Sequence, residues 1–325
     1  MSLDINFPKE ILLESVEKRG AWFEQYAKVE HPIMENIVED LVERIKNPAG
    51  SNLVMVVGPT GVGKTTVQEL VVRKIYQWAL EQKDMDNRIP ITGLELPSPE
   101  LRRSLEKAFY YRRPLAFLID EAQHFSNIAS GKTLHLQLDV IKSLANISGV
   151  LHILVGHYEL ADFINLSGQL SRRVTDIHFA RYNATNIDEL KHFVNVIANL
   201  QKQLPLEKEP DLINHYDFIY ERTLGCVGIL KDWLSRCLIS TLNNGEVTIS
   251  LQSLKKCALS ISKIEVMMEE IKIGEDKFNE DKDKISELRV KMGLDKFKVD
   301  SVNNSRGKLK KNVGVRNAKR DAIGR

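Results

Sequence analysis

The sequence is poor in cysteine and has no long apolar run, and each absence excludes a class of protein. Its 325 residues include three cysteines, Cys226, Cys237 and Cys257, none of them in a CxxC pair. This odd number without paired spacing argues against a disulfide framework and a zinc site, so we expect ordinary buried thiols. No segment approaches the roughly 18 apolar residues of a membrane-spanning helix. The first ten residues also lack the basic start and apolar core of a signal peptide. We therefore expect a cytoplasmic protein without membrane contact.

The net charge of +2 is small but unevenly distributed. Residues 296–325 contain ten Lys or Arg against two Asp, which gives that stretch +8 and leaves −6 for residues 1–295. A basic stretch with few apolar residues cannot bury enough surface to order itself. We expect a disordered arm there, suited either to binding a polyanion or only to keeping the protein in solution.

Apolar runs of strand length alternate with longer segments of helical pattern. The runs are residues 53–57, 91–96, 115–119 and 150–155, and a fifth strand is expected at 177–180. Strands that alternate with helices favour a parallel sheet covered on both faces. The fold class predicted is therefore α/β.

The patterns after about residue 211 are helical, at 213–224, 228–242 and 250–270. They predict a small helical domain behind the α/β core. The predicted division is an N-terminal helical segment (1–50), the α/β core (51–205), a helical lid domain (206–265), a charged helical extension (266–295) and the basic tail (296–325).

Residues 58–66, GPTGVGKTT, match the pattern GxxxxGK[ST]. They follow the run at 53–57 directly and precede a helix predicted over 67–80, as the motif requires. In such a loop the backbone N–H groups surround phosphate oxygens, the lysine reaches the β- and γ-phosphates, and the hydroxyl after it ligates Mg²⁺. We predict an ATP site formed by Gly58, Pro59, Thr60, Gly61, Val62, Gly63, Lys64, Thr65 and Thr66, with Lys64 catalytic and Thr65 a metal ligand.

The run at 115–119 ends in two acids, Asp120 and Glu121. This is the Walker B pattern, in which Asp120 would hold Mg²⁺ through water and Glu121 would activate the attacking water. A glutamate beside the aspartate indicates a hydrolase rather than a nucleotide switch. The string DEAQH at 120–124 also suggests DEAD-type helicases, but those need a second RecA-like domain, which the helical patterns that follow do not provide.

These motifs together resemble the TnsC/TniB/MuB group of AAA+ ATPases, which regulate DNA transposition, and most closely the TnsC branch. The resemblance covers roughly residues 30–235. It depends on His31-Pro32, GPTGVGKTT (58–66), LIDEAQHF (118–125), LDVIKSLAN (138–146), VGHYEL (155–160), QLSRRV (169–174) and TLGCVGILKDW (223–233). It implies an AAA+ P-loop domain with a parallel five-stranded sheet, followed by a helical lid.

The resemblance also implies further catalytic roles. His157 would be the polar sensor of the γ-phosphate, an unusual residue where Asn, Thr or Ser is commoner, and a structural histidine is the alternative. One of Arg172 and Arg173 would reach a neighbouring subunit's γ-phosphate as an arginine finger, or both are a solvated pair. Lys231, about one turn into a helix after two glycines, would be the basic sensor 2 that faces the phosphates.

By the same resemblance, the protein would form a ring or helical filament on duplex DNA in its ATP state, mark the insertion site and recruit the transposase together with target-selector proteins. Hydrolysis would then disassemble it. His31, Pro32 and Ile33 would lie near the adenine. Sequence-independent contacts with the DNA backbone are predicted for Arg102, Arg103, Lys132 and Thr133, although the two arginines also fit a solvated helix face.

Two other functions fit the ATPase motifs. One is a replication initiator or helicase loader of the AAA+ class, although no recognition-helix pattern is evident after residue 245. The other is a signalling protein that uses ATP as a switch without DNA.

Overall fold

The computed structural model describes residues 7–48, 52–82, 91–94, 101–124, 141–165, 174–279 and 282–294. Side chains at 92–94, 101–104, 106 and 163–165 are outside this description. The basic tail predicted at 296–325 also lies outside the described residues. The chain divides into two compact units, residues 1–277 and 278–325.

Five parallel strands form one sheet in the order β2-β3-β4-β1-β5. They are β1 Leu53–Val57, β2 Ile91–Leu94, β3 Ala116–Ile119, β4 Leu151–Gly156 and β5 Val174–His178. Every residue of β1, β3 and β4 is buried, and apart from His152 of β4 these strands are therefore apolar throughout.

The fifth strand begins earlier than the predicted range 177–180. Among the described strands β5 pairs only with β1, and Ile177 is its one buried residue. An edge strand that is half exposed carries polar residues, so its sequence lacks the apolar run that marks the inner strands.

Helices account for most of the remaining described chain. They are α1 Val16–Tyr26, α2 Pro32–Lys46, α3 Lys64–Glu81, α4 Leu101–Arg112, α5 Glu159–Asn165, α6 Ile187–Lys202, α7 Tyr216–Thr223, α8 Val227–Asn243, α9 Leu251–Cys257, α10 Ile261–Phe278 and α11 Lys282–Lys291. Residues 141–148 are also helical, and short 3-10 turns occupy Lys9–Leu13 and Ile213–His215. Side-chain caps begin α1, α6 and α9, from Ser15, Asn186 and Ser250.

A first core packs α2 and α3 against the sheet. Leu41 and Ile45 of α2 and Val71 and Ile75 of α3, each at most 1% exposed, contact the apolar face of β1, β3 and β4. The N-terminal segment predicted as helical therefore completes the α/β layer through α2.

A second core holds the helices of the C-terminal half together with α1. Phe23 of α1, Phe193 of α6 and Trp233 of α8 are almost fully buried in it. Helix α6, which the sequence division assigns to the 51–205 segment, packs in this helical core instead. Cys226 and Cys237 are buried, Cys257 is partly buried, and all three are free thiols as predicted.

The segment predicted as one helix at 250–270 is two helices. Leu254 of α9 packs in the second core, whereas Ile271 of α10 packs against Leu224, Cys226 and Ile229. The chain turns between α9 and α10 because their apolar faces point to different neighbours. The boundary predicted at 265/266 thus falls inside α10.

Helix α11 belongs to the second unit and has no buried residue. Within the described part of the chain, no helix is both long and apolar enough to cross a membrane.

Candidate functional site

The loop between β1 and α3 needs glycine at three positions. Gly61 and Gly63 adopt φ values of +72° and +112°, in the left-handed region. A Cβ on Gly58 would lie 2.3 Å from the carbonyl oxygen of Phe179. Helix α3 begins at Lys64, three residues before the predicted start at 67, so the loop opens directly onto a helix N-terminus where N–H groups lack helical partners.

Lys64 lies beneath this loop. Its ammonium donates to the carbonyl oxygens of Gly58 and Pro59, both at 2.9 Å. The side chain is buried, and burial lowers its pKa to about 8, while the carboxylates of Glu121 and Asp120 oppose that shift. A buried cation held this way favours an anionic ligand at the loop.

A cavity of about 480 Å³ opens above the loop. Its lining brings together residues predicted separately from sequence: Thr60, Gly61, Gly63, Lys64, Thr65, Thr66, Asp120, Glu121, His157 and Lys231. Four further residues line it that were not predicted as site residues: Glu24, Gly228, Asp232 and Ser235. Glu24 comes from α1, and no local pattern marks it, because its approach depends on α1 packing against α8.

The two acids leave β3 in a tight turn. Glu121 has a φ of +48°, a conformation that costs a non-glycine residue on the order of 1 kcal/mol. Its N–H donates to the Asp120 Oδ1 atom at 2.8 Å, and the Ala122 N–H donates to the Val155 carbonyl of β4 at 2.9 Å. These bonds hold the turn that directs both carboxylates into the cavity.

His157 stands between the lysine and the glutamate. Its Nδ1 lies 3.3 Å from Lys64 Nζ and 3.4 Å from Thr60 Oγ1, and its Nε2 lies 3.7 Å from Glu121 Oε2. Burial, and then the charge of Lys64, lower the pKa of His157, so the ring is neutral at pH 7. Because an ammonium only donates, we assign the acceptor role in this contact to Nδ1 and the ring proton to Nε2, which faces Glu121.

Lys231 lines the same cavity from α8. Its ammonium donates to the Glu24 carbonyl oxygen at 2.7 Å, and burial lowers its pKa. The Glu24 carboxylate in turn accepts from the Ser235 hydroxyl at 2.9 Å. Helix α1 therefore holds the lysine predicted as sensor 2, and its contact with phosphates stays a prediction.

The residues predicted at the adenine are absent from the lining of the cavity. His31 is the N-cap residue of α2 but makes no side-chain capping bond; it is 3% exposed, with its Nδ1 2.9 Å from the Tyr182 hydroxyl. Burial lowers its pKa to about 4, so it is neutral at pH 7. Pro32 is exposed and Ile33 packs against both cores.

The residues predicted as the arginine finger and as DNA contacts cannot be placed at the site. Arg102 and Arg103 belong to α4, but their side chains are outside the described residues, as are Lys132, Thr133, Arg172 and Arg173 altogether. The arginine finger and the DNA contacts therefore stay predictions.

Comparison with known proteins identifies the fold. No family model matches the sequence, and no curated protein matches it. Among solved structures, the Aeropyrum pernix ORC2 protein in its ADP form matches with a TM-score of 0.53 and 13% identity, over 73% of this chain and 71% of that chain. The ADPNP-ADP complexes of the same protein match with a TM-score of 0.51 and 17% identity, over 74% and 71%.

A structure of Drosophila ORC bound to DNA also matches, with a TM-score of 0.48 and 15% identity, over 79% of this chain and 68% of that chain. Identities this low show a shared fold and nothing finer. The chain therefore shares the fold of the two Aeropyrum pernix structures, an α/β fold with a parallel sheet and a helical C-terminal part.

Proposed function

We propose that this chain is an ATP-hydrolysing AAA+ protein that assembles on duplex DNA and regulates DNA transposition. The observation that carries the ATPase part is the convergence of Lys64, Thr65, Asp120 and Glu121 on one cavity. These residues come from two separate motifs, and the fold brings them to the same edge of the sheet. The Aeropyrum pernix neighbours, whose structures are described as ADP and ADPNP complexes, support a nucleotide as the ligand.

The cavity fits a magnesium nucleotide. Among the described residues, no group of three His, Cys, Asp or Glu side chains is arranged to hold a metal alone. Magnesium on a nucleotide needs only one or two protein ligands beside the phosphates, and the Thr65 hydroxyl and Asp120 carboxylate would be those ligands. Bound Mg²⁺ neutralises charge on the β- and γ-phosphates.

The protein's own groups have separate roles in hydrolysis. Backbone N–H groups of the loop and the Lys64 ammonium bind and orient the phosphates. Glu121 accepts the proton of the attacking water. His157, neutral and protonated at Nε2, donates towards the γ-phosphate or the water beside Glu121. One of Arg172 and Arg173 supplies a cation from the adjacent subunit, which makes hydrolysis depend on assembly.

Action on DNA is the finer part of the proposal. It is supported by the order of the motifs at 118–125, 169–174 and 223–233, which resemble the TnsC group, and by the basic stretch at 296–325. In this function the oligomer binds the DNA backbone without reading sequence and recruits the transposase and target-selector proteins.

A replication initiator is the second candidate, and one observation favours it. Both Aeropyrum pernix structures reported above are structures of an ORC2 protein. Under this function the chain would bind DNA in the ATP state but would not stimulate strand transfer by a transposase.

Electron microscopy and DNA binding by the purified chain test these functions. We would compare ATP, ADP and a non-hydrolysable ATP analogue, and include Glu121→Gln, which should bind ATP but hydrolyse it at least about a hundredfold more slowly. Rings or filaments on random-sequence duplex with ATP, lost with ADP and persistent in Glu121→Gln, are the expected result. A monomer that hydrolyses ATP and ignores DNA in every nucleotide state would overturn the DNA part and leave the signalling switch.

A further inference from the structure

We propose that Gln123 is a positioning residue, which locks the Glu121 carboxylate and the backbone at His157 into one arrangement and thereby sets the rate of hydrolysis. This inference rests on the proposed ATPase function and deepens it. Gln123 acts through the two residues it binds.

The turn after β3 places Gln123 beneath the catalytic edge of the sheet. The left-handed φ of Glu121 reverses the chain, and the Ala122 N–H bonds to the Val155 carbonyl of β4. Gln123 consequently enters the gap between the ends of β3 and β4, where it is 4% exposed. A polar side chain this deeply buried requires partners for its amide.

Each end of the Gln123 amide has a partner from a different motif. Its Nε2 donates to the Glu121 Oε2 atom, and its Oε1 accepts from the His157 N–H at 3.1 Å. The reversed amide would set donor against donor and acceptor against acceptor, so these two bonds fix its orientation. Gln123 therefore connects the acid after β3 with the histidine after β4.

Gly156, which lies next to the Gln123 amide, leaves room for this side chain because it has no Cβ. A Cβ on Gly156 would lie 2.5 Å from Gln123 Oε1, closer than any stable contact. Gly156 does not have a left-handed φ, so the requirement for glycine comes from the approach of Gln123 and not from the backbone. Gly156 is the last residue of β4 and pairs with Val57, the residue directly before the phosphate loop.

Glu121 needs such support because its carboxylate is 46% exposed. A side chain that is half in solvent samples several rotamers, and a displacement of about 1 Å in a catalytic group can cost on the order of a hundredfold in rate. Loss of the Gln123 amide should therefore lower kcat while the loop that binds phosphates stays intact.

The chain offers a matched control in Gln201. This residue is also buried, its Nε2 donates to Glu209 Oε1 at 2.7 Å, and its Oε1 accepts from the Leu212 N–H at 2.7 Å. Gln201 thus has the same pair of bonds, but it lies in α6, in the helical core. Leucine at either position keeps the volume and removes both bonds.

The test compares Gln123→Leu with Gln201→Leu by steady-state hydrolysis and by ATP binding, with and without duplex DNA. We expect Gln123→Leu to lower kcat roughly ten- to hundredfold with KM within about threefold, and Gln201→Leu to keep the wild-type kcat. Wild-type kcat in Gln123→Leu, equal losses in both variants, or a rise in KM alone would overturn the proposal. A wild-type chain that binds ATP without hydrolysing it would instead refute the ATPase function itself.

Two further variants cover the case in which Gln123→Leu does not fold. Gly156→Ala should lower kcat in the same way, because its methyl group displaces the amide; normal kcat there would contradict the role of Gln123. Gln123→Glu keeps the size of the side chain and an acceptor for the His157 N–H, but it removes the donor to Glu121 Oε2. Its kcat should therefore fall as in Gln123→Leu, whereas a merely structural role predicts a normal kcat.

Discussion

The N–H of Gly228, in the first turn of α8, donates to the carbonyl oxygen of Gly61 in the phosphate loop at 2.6 Å. The next amide, of Ile229, approaches the same oxygen at 3.3 Å. Two N–H groups that a helix N-terminus leaves unsatisfied are thus paired with the loop. The helical part therefore contacts the nucleotide loop through backbone hydrogen bonds, and the Ile229 side chain also lies against Gly61.

Gly228→Ala should weaken ATP binding. A Cβ at this position would lie 2.5 Å from the Gly61 oxygen, and backbone on both sides leaves little room for adjustment. Overpacking of about 1–3 kcal/mol corresponds to roughly a ten- to hundredfold loss of affinity if it is relieved by moving α8 off the loop. Binding of a fluorescent ATP analogue measures this loss.

Gly20→Ala is the control for that experiment. The added Cβ would meet only the flexible Ile239 side chain, at 3.2 Å. Alanine also favours the helix, so affinity should be unchanged and stability unchanged or slightly higher. Unaltered affinity in both variants would show that the contact of α8 with the loop has no role in binding.

Replacement of His157 should show whether this residue acts as the γ-phosphate sensor or only as a structural histidine. Asparagine can place an acceptor near Lys64, as Nδ1 does, whereas alanine cannot. We expect His157→Ala to lower kcat about a hundredfold, by analogy with the loss of one transition-state donor, and His157→Asn to lower it less. His124→Ala serves as the control, because this ring is also near Glu121, at 3.9 Å, but half exposed and outside the cavity lining. Equal rates for the two His157 variants would argue for a structural role.

ATP affinity should fall as the pH rises above about 8. Burial lowers the pKa of Lys64 to about 8, and bound phosphates favour its ammonium form, so binding raises that pKa. Below about 8 the lysine is already charged. Above it, binding must take up a proton, and affinity falls by at most about tenfold per pH unit.

Calorimetry in buffers of different ionisation enthalpy measures this proton uptake directly. It should be close to zero near neutral pH and approach one proton at about pH 9. Lys64→Arg is the control, since a guanidinium stays charged and its weaker binding should not depend on pH in this range. Proton uptake by the arginine variant would assign the linkage to another group.

Glu275→Gln should destabilise the first unit. Both Glu275 oxygens accept from Arg181, at 2.8 and 3.2 Å, and this pair fixes α10 against the core. Arg181 is 8% exposed and Glu275 29%. Loss of the carboxylate leaves a buried cation, which we expect to cost about 2 kcal/mol, less than the roughly 3–5 kcal/mol of a fully buried pair.

Thermal unfolding monitored by circular dichroism tests this value against Glu14→Gln. The Glu14–Lys18 pair is mostly exposed, so its loss should cost less than about 1 kcal/mol. A Glu275→Gln variant as stable as Glu14→Gln would mean that α10 is held by its apolar contacts alone.

Local sequence was sufficient to predict an element wherever the burial and backbone conformation of one short segment set its residue pattern. The buried strands β1, β3 and β4 were predicted because a strand covered on both faces is almost entirely apolar. The phosphate loop was predicted because its conformation needs glycine at fixed spacing beside Lys64 and Thr65. The α/β fold class with a parallel sheet was confirmed, and the sheet has five strands.

Features that depend on a contact between residues far apart in sequence could not be predicted from local sequence. The edge strand β5 began earlier than predicted, and α9 and α10 were joined in one predicted helix. Glu24 of α1 lines the cavity, although no sequence motif predicts it. In each case the deciding contact joins residues far apart in sequence, and hydrophobic periodicity carries no information about which face meets which neighbour.

The sequence by itself therefore determined the phosphate loop, the two acids after β3 and the alternation of strands and helices, because those follow from backbone conformation and burial within single segments. Only the tertiary structure decided that Gln123 bridges Glu121 and His157, that α1 holds Lys231, and that α8 contacts Gly61. Those arrangements come from packing and from the need of each buried polar group for a partner, and both act across the whole chain.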